Sequence, residues 1–175
     1  MTFASLSRSA ALMLLCSLLT ACGLTQAVSD GTVSAIRAIF YKKIKVLHLD
    51  FEPRAAINAD ESQTPLATMV HVYQLNDRQK VDAADYQTLL RDADNALKED
   101  ILASKSLLVM PKGSMTLNMT MNDETKFVAV VGLFNRPDSR NNTWKLVLSL
   151  EDLDPDKART IQLNSTGLAL VPVKE

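Results

Sequence analysis

The stretch "KIKVLHLDFE", residues 43–52, decides the fold. In it Leu47, Leu49 and Phe51 recur at every second position, with His48 and Asp50 between them. Successive strand side chains point to opposite faces, so this period places the three apolar groups on one side of a β-strand. Pro53 closes it, because proline brings no N–H to a ladder and is kept out of strand interiors.

Working outward, the same reading extends to most of the chain. "TMVHVYQL" (68–75) is rich in β-branched and aromatic residues, and "SMTLNMTM" (114–121) alternates methionine and leucine with threonine and asparagine. "KFVAVVGLF" (126–134) is apolar at nearly every position and is expected to be a central strand, covered on both sides. "TWKLVLSL" (143–150) puts Trp144, Leu146, Leu148 and Leu150 on one side. "RTIQLNS" and "TGLALVPV" (159–173) read as paired strands around Asn164 and Ser165, and "SLLVM" (106–110) adds an edge strand before Pro111-Lys112-Gly113.

One segment breaks the period. "DAADYQTLLRDADNALKEDIL", residues 82–102, carries Tyr86, Leu89, Leu90, Ala93, Leu97 and Ile101 at helical spacing. Asp82 is the expected N-cap, and the Asp92 to Asn95 region is where the helix would break. Seven or eight short strands with one helical insertion at about 82–102 predict a mainly β protein. Its architecture is a β-sandwich spanning one domain, 44–175.

Composition narrows the function. The chain has 175 residues, 47% hydrophobic and 22% charged, with a net charge of −1, the profile of an ordinary folded protein. Near-neutrality argues against nucleic acid, because phosphate binding needs a concentrated basic face. The two cysteines, Cys16 and Cys22, both lie before the domain, which therefore has no disulfide and no thiol chemistry.

Their position has its own explanation. Arg8 is followed by the apolar run "AALMLLCSLL" (10–19), about half of the roughly 20 residues that a membrane-spanning helix needs. It has the length of a signal-peptide core. Leu19-Thr20-Ala21-Cys22 then resembles the lipobox of bacterial lipoproteins. The resemblance implies that residues 1–21 are removed and that Cys22 is acylated, with an N-acyl chain and an S-diacylglycerol. Several chains are needed because one binds a membrane only marginally. Gly23, where an aspartate would signal retention, resembles the pattern for export to the outer membrane. Residues 22–43 then read as a tether that gathers into a short helix around Val33, Ile36, Ile39 and Phe40, capped by Asp30.

Chemistry is sparse. His48 and His71 sit in predicted strands; were those strands to pair, the two rings would offer a weak metal site without a third ligand. "DLDPD" (152–156) imitates a calcium loop but has Lys157 at position six and Leu163 at position twelve, so it reads as an acidic turn. No catalytic residue, metal ligand or cofactor other than the lipid is assigned, and the expectation is a protein that is not an enzyme.

The unusual feature is "PRAAINADESQTPLA", residues 53–67, between two strands that a short hairpin turn could have joined. Connections beyond roughly 12–15 residues are uncommon and usually functional or disordered. Ile57 reads as a small apolar knob among Asn58, Asp60 and Glu61, with Pro53 and Pro65 stiffening the bases. That composition fits a protein-binding loop, while its length fits a connection without a partner equally well.

Three stretches carry a wider resemblance: "HVYQLND" (71–77), "DAADYQTLLRDA" (82–93) and "VAVVGLFNRPD" (128–138). With the lipobox and the long loop in this order, the chain resembles the outer-membrane lipoproteins of type VI secretion, the TssJ/SciN family. The resemblance implies a transthyretin-like β-sandwich in the periplasm, anchored to the outer membrane through Cys22. It implies too that the loop contacts the periplasmic domain of the inner-membrane protein TssM, and through it TssL. The matching loop positions are Ala56, Ile57, Asn58, Ala59, Asp60, Glu61, Ser62, Gln63 and Thr64. Family loops often place a glycine before the proline; Gln63-Thr64-Pro65 stands here instead. The alternatives are a periplasmic lipoprotein that binds a glycan or peptide, and a hydrolase. The first needs a concave polar and aromatic surface from nine aromatic residues; the second needs a nucleophile beside one of the histidines.

Overall fold

The computed structural model describes residues 43–173. The expected signal peptide, the expected lipidation site Cys22 and the short helix expected before residue 43 all lie outside the described residues. From Lys43 onward the chain forms one compact unit.

Eight strands build it: β1 (Val46–Pro53), β2 (Thr68–Leu75), β3 (Ile101–Val109), β4 (Met115–Thr120), β5 (Phe127–Leu133), β6 (Lys145–Ser149), β7 (Arg159–Leu163) and β8 (Leu168–Leu170). They form two four-stranded sheets, ordered β4-β1-β7-β8 and β3-β2-β5-β6. Every pairing is antiparallel except β1 with β7. Leu47, Leu49 and Phe51 on β1 are buried together with Val70 and Val72 on β2, Val128 and Val130 on β5, and Ile161 and Leu163 on β7. The period-two faces of the two sheets thus supply one core.

β5 lies between β2 and β6, as its unbroken apolar run predicts. Its second face, with Ala129 and Val131 buried, belongs to the same core as Val81, Tyr86, Leu89 and Ala93 of the helical segment. That segment differs from the single helix expected over 82–102. It comprises α1 (Gln79–Ala83) and α2 (Tyr86–Ala96). Asp82 lies inside α1, and the cap of the longer helix is Asp85, whose carboxylate accepts the Thr88 amide at 2.7 Å. These hydrogen bonds to the Thr88 amide and side chain hold the Asp85 carboxyl below its ordinary pKa. α2 breaks at Asp92 (φ −158°, ψ 62°), within the expected region. Ile101 and Leu102 open β3 instead of ending a helix; the spacing of Ile101 from Leu97 matches a helical turn, but the chain has already turned at 97–100.

Two side chains tie these layers together. Gln74, fully buried between the sheets, donates to the Thr120 carbonyl at 2.8 Å and accepts from the Asn122 amide at 2.7 Å and the Thr125 hydroxyl at 2.9 Å. Lys145, at the start of β6, donates to the carbonyls of Val81, Asp82 and Ala84 at 2.7–2.8 Å, closing the end of α1. Its Nζ lies 5.0 Å from the centre of the Trp144 ring.

Candidate functional site

The strand registers gather four connections at one end of the sandwich. Phe51 is opposite Met115 on β4 and Ile161 on β7; Thr68 is opposite Val109 on β3, and Met69 opposite Leu133 on β5. The segments 54–67, 110–114, 134–144 and 164–167 therefore emerge together. β1 and β2 lie in different sheets, so a hairpin turn could never have joined them. Facing sheets are about 10 Å apart, a distance that roughly four extended residues cover. The 54–67 loop is much longer than this crossing requires.

The loop is built on two buried residues. Leaving β1, Arg54 gives its amide to the Leu163 carbonyl at 2.9 Å and its Nε to the Gln162 side chain at 2.9 Å. Ile57 is then fully buried. This corrects the reading of Ile57 as a knob offered to a partner: its side chain belongs to the core, where burial of such a group contributes about 1.5–3 kcal/mol. Asn58 is 4% exposed. Its backbone is in the left-handed region (φ 47°), which asparagine tolerates better than most residues. Its side chain donates to the Ala67 carbonyl at 3.0 Å and accepts the Asn135 amide at 2.5 Å, and its own amide reaches the Asn164 carbonyl at 3.4 Å. One asparagine thus joins three of the four connections.

Beyond Asn58 the tip closes on itself. Asp60 and Thr64 exchange hydrogen bonds: the Asp60 amide donates to the Thr64 carbonyl at 3.0 Å, and the Asp60 carboxylate accepts the Thr64 amide at 2.8 Å. The Gln63 amide donates to the Asp60 carbonyl at 3.2 Å. Gln63, just before Thr64-Pro65, has φ 61°, a left-handed conformation that glycine adopts without strain. Ala56 and residues 61–64 are exposed, while Ala59 and Asp60 are half-buried. Arg136, from the 134–144 connection, approaches Glu61 at 3.8 Å. Sequence reasoning missed Asn135 and Arg136, although both lie within the "NRPD" that follows β5. Of the nine expected loop positions, the structure thus displays a polar tip and withdraws Ile57 and Asn58 as its footing.

Elsewhere the expected chemistry is dispersed. With β1 and β2 in separate sheets, strand pairing cannot bring His48 and His71 together; His48 is hydrogen-bonded to Asn118 and His71 to Ser106. Among the described residues no group of three His, Cys, Asp or Glu is arranged to hold a metal ion. In the 152–156 turn, Asp152 accepts from the Ser149 amide and hydroxyl. Asp154 accepts the amides of Asp156 and Lys157, bonds that lower its pKa.

Residues 45–166 match the family model described as type VI secretion lipoprotein, VasD, EvfM and TssJ. The chain belongs to the type VI secretion lipoprotein family. Among solved structures it is 40% identical to a chain of the "Type VI membrane complex", with a TM-score of 0.71, covering 74% of this chain and 100% of that one. Equal identity and coverage, with a TM-score of 0.69, relate it to a chain in the structure of the "T6SS protein TssM C-terminal domain (869-1107) from EAEC". The lipoprotein TssJ1 from Pseudomonas aeruginosa shares the fold at 18% identity and a TM-score of 0.63, covering 75% of this chain and all of that one. No curated protein sequence matches it. For a type VI secretion lipoprotein, the two-sheet architecture is the family's, and the footing of the 54–67 loop is what this chain's own residues build on it.

Proposed function

We propose that the protein is anchored in the outer membrane by lipid on Cys22, faces the periplasm, and stabilises the trans-envelope complex of a type VI secretion system. It does so by gripping the periplasmic domain of TssM with the tip of its 54–67 loop, and is linked through TssM to TssL. The observation that carries this reading is the seating of the loop: buried Ile57 and Asn58 fix its base, and the Asp60–Thr64 closure presents a preformed polar tip. A preformed loop loses little conformational entropy on docking, so more of its contact energy appears as affinity. The likeness to chains of a type VI membrane complex and of a TssM structure supports the same partner. No chemistry is required of it.

The test keeps the footing and changes the tip. Glu61, Ser62 and Gln63 are replaced by Ser-Gly-Ser in the full lipidated chain, with Ile57, Asn58 and Asp60 retained, and the protein is purified from envelopes. TssM should co-purify with the wild type and be lost from the variant at equal thermal stability. Retention of TssM would move the contact to another face. Cys22→Ala should release the protein from the outer-membrane fraction; unchanged fractionation would remove the anchor from the proposal.

A further inference from the structure

A cleft of about 260 Å³ lies on the face of the β3-β2-β5-β6 sheet turned away from the β1 sheet, beside α2. His71 and Tyr73 line it from β2, their rings stacked with centroids 6.0 Å apart and planes 25° from parallel. Ser106 and Ser104, their register partners on β3, line one side. Leu90 and Asp94 come from α2 on either side of its break at Asp92.

Tyr73 is 2% exposed, and no hydrogen bond joins its hydroxyl to another described residue. The hydroxyl is not sealed off: among the described residues Thr68 Oγ1 is the one fully buried side-chain polar atom without a partner. Tyr86, by contrast, donates to the Phe134 carbonyl at 2.6 Å. The Tyr73 ring thus forms part of the cleft wall while its oxygen stays accessible to a group that enters.

We propose that this cleft receives the cationic head of a lysine or arginine side chain presented by a peptide segment of a protein partner. An ammonium group has donors and no acceptor. The cleft supplies the Asp94 carboxylate, the Tyr73 phenol oxygen and the Ser104 hydroxyl as acceptors, with two aromatic rings beside them. Burial lowers the His71 pKa against the opposing field of Asp94, so the imidazole adds no competing positive charge at neutral pH. Asp92 and Asp94 outnumber Arg91 at the rim, which disfavours an anion, and the polar lining offers little to an apolar group. The volume suits one side chain and excludes a folded element. This contact does not depend on the role given to the 54–67 loop.

The test is an NMR titration of the full chain in detergent, following the ring resonances of His71 and Tyr73. The probes are N-acetyl-lysine methylamide, its uncharged norleucine counterpart and chitotriose. The lysine probe should shift both rings saturably, norleucine should leave them unmoved, and Asp94→Asn, at an exposed position, should weaken the lysine response at least tenfold. Equal shifts with norleucine, an unchanged response in Asp94→Asn, or no saturation by the lysine probe would each overturn the proposal. Saturation by chitotriose alone would overturn it in favour of a glycan cleft.

Discussion

The side-chain oxygen of Asn58 accepts the backbone amide of Asn135 at 2.5 Å, so a single buried amide fastens the β1–β2 loop to the β5–β6 loop. Asn58→Ala leaves the Asn135 amide and the Ala67 carbonyl without this partner and puts alanine in a left-handed conformation. The expected cost is about 2–4 kcal/mol. Urea denaturation should show the loss, with far-UV circular dichroism of the folded variant unchanged.

At Gln63 the backbone already has the geometry that glycine prefers. Gln63→Gly relieves strain of about 1 kcal/mol, partly offset by greater freedom of the unfolded chain, for a net gain of about 0.5 kcal/mol. The β-branched Gln63→Val should lose about 1–2 kcal/mol. Paired melting curves check the opposite signs, and a loss on Gln63→Gly would count against the loop geometry.

Lys145 holds three carbonyls at the end of α1, and burial keeps its pKa below the ordinary lysine value. Lys145→Met retains the stem over Trp144 and removes every donor. A cost of about 2–3 kcal/mol is expected at neutral pH. Hydrogen exchange should localise the loosening to residues 79–84, ahead of the sheets.

Tyr73 titrates late: burial first, and the Asp94 charge second, push its phenol up to about 12 from 10.0. A folded pKa above the unfolded one means that stability is fully present below pH 10 and falls as pH rises from 10 towards 12. Absorbance at 295 nm should show a tyrosine ionising near the top of that window. Tyr73→Phe should remove that step and flatten the alkaline decline in stability.

β1 and β4 were legible because one face of each meets the core and the other does not, and β5 was legible for the opposite reason. What sequence could not supply was sheet membership. "KIKVLHLDFE" and "TMVHVYQL" look like neighbours, and only the long-range registers with β4, β7, β3 and β5 separate them. Ile57 was misread for the same reason: an isoleucine among small polar residues looks exposed until a second sheet lies beneath it. Gln74 gave no signal, because its three partners are more than 40 positions away. The loop's boundaries could be read directly; its footing depended on Asn135 and Asn164, which no local pattern links to it.

β1 runs from the end of the domain that follows the N-terminal segment to the end that bears the loop, with β4 on one side and β7 on the other. Its eight residues span roughly 26 Å at about 3.3 Å each. Tension applied between the chain before Lys43 and the loop after Pro53 runs along this strand. The ladder hydrogen bonds lie across that direction, so they are loaded together in shear and do not unzip one at a time. The domain is thus strongest along the line that joins its two ends, and a force probe pulling from those points should meet more resistance than one peeling β8 from its edge.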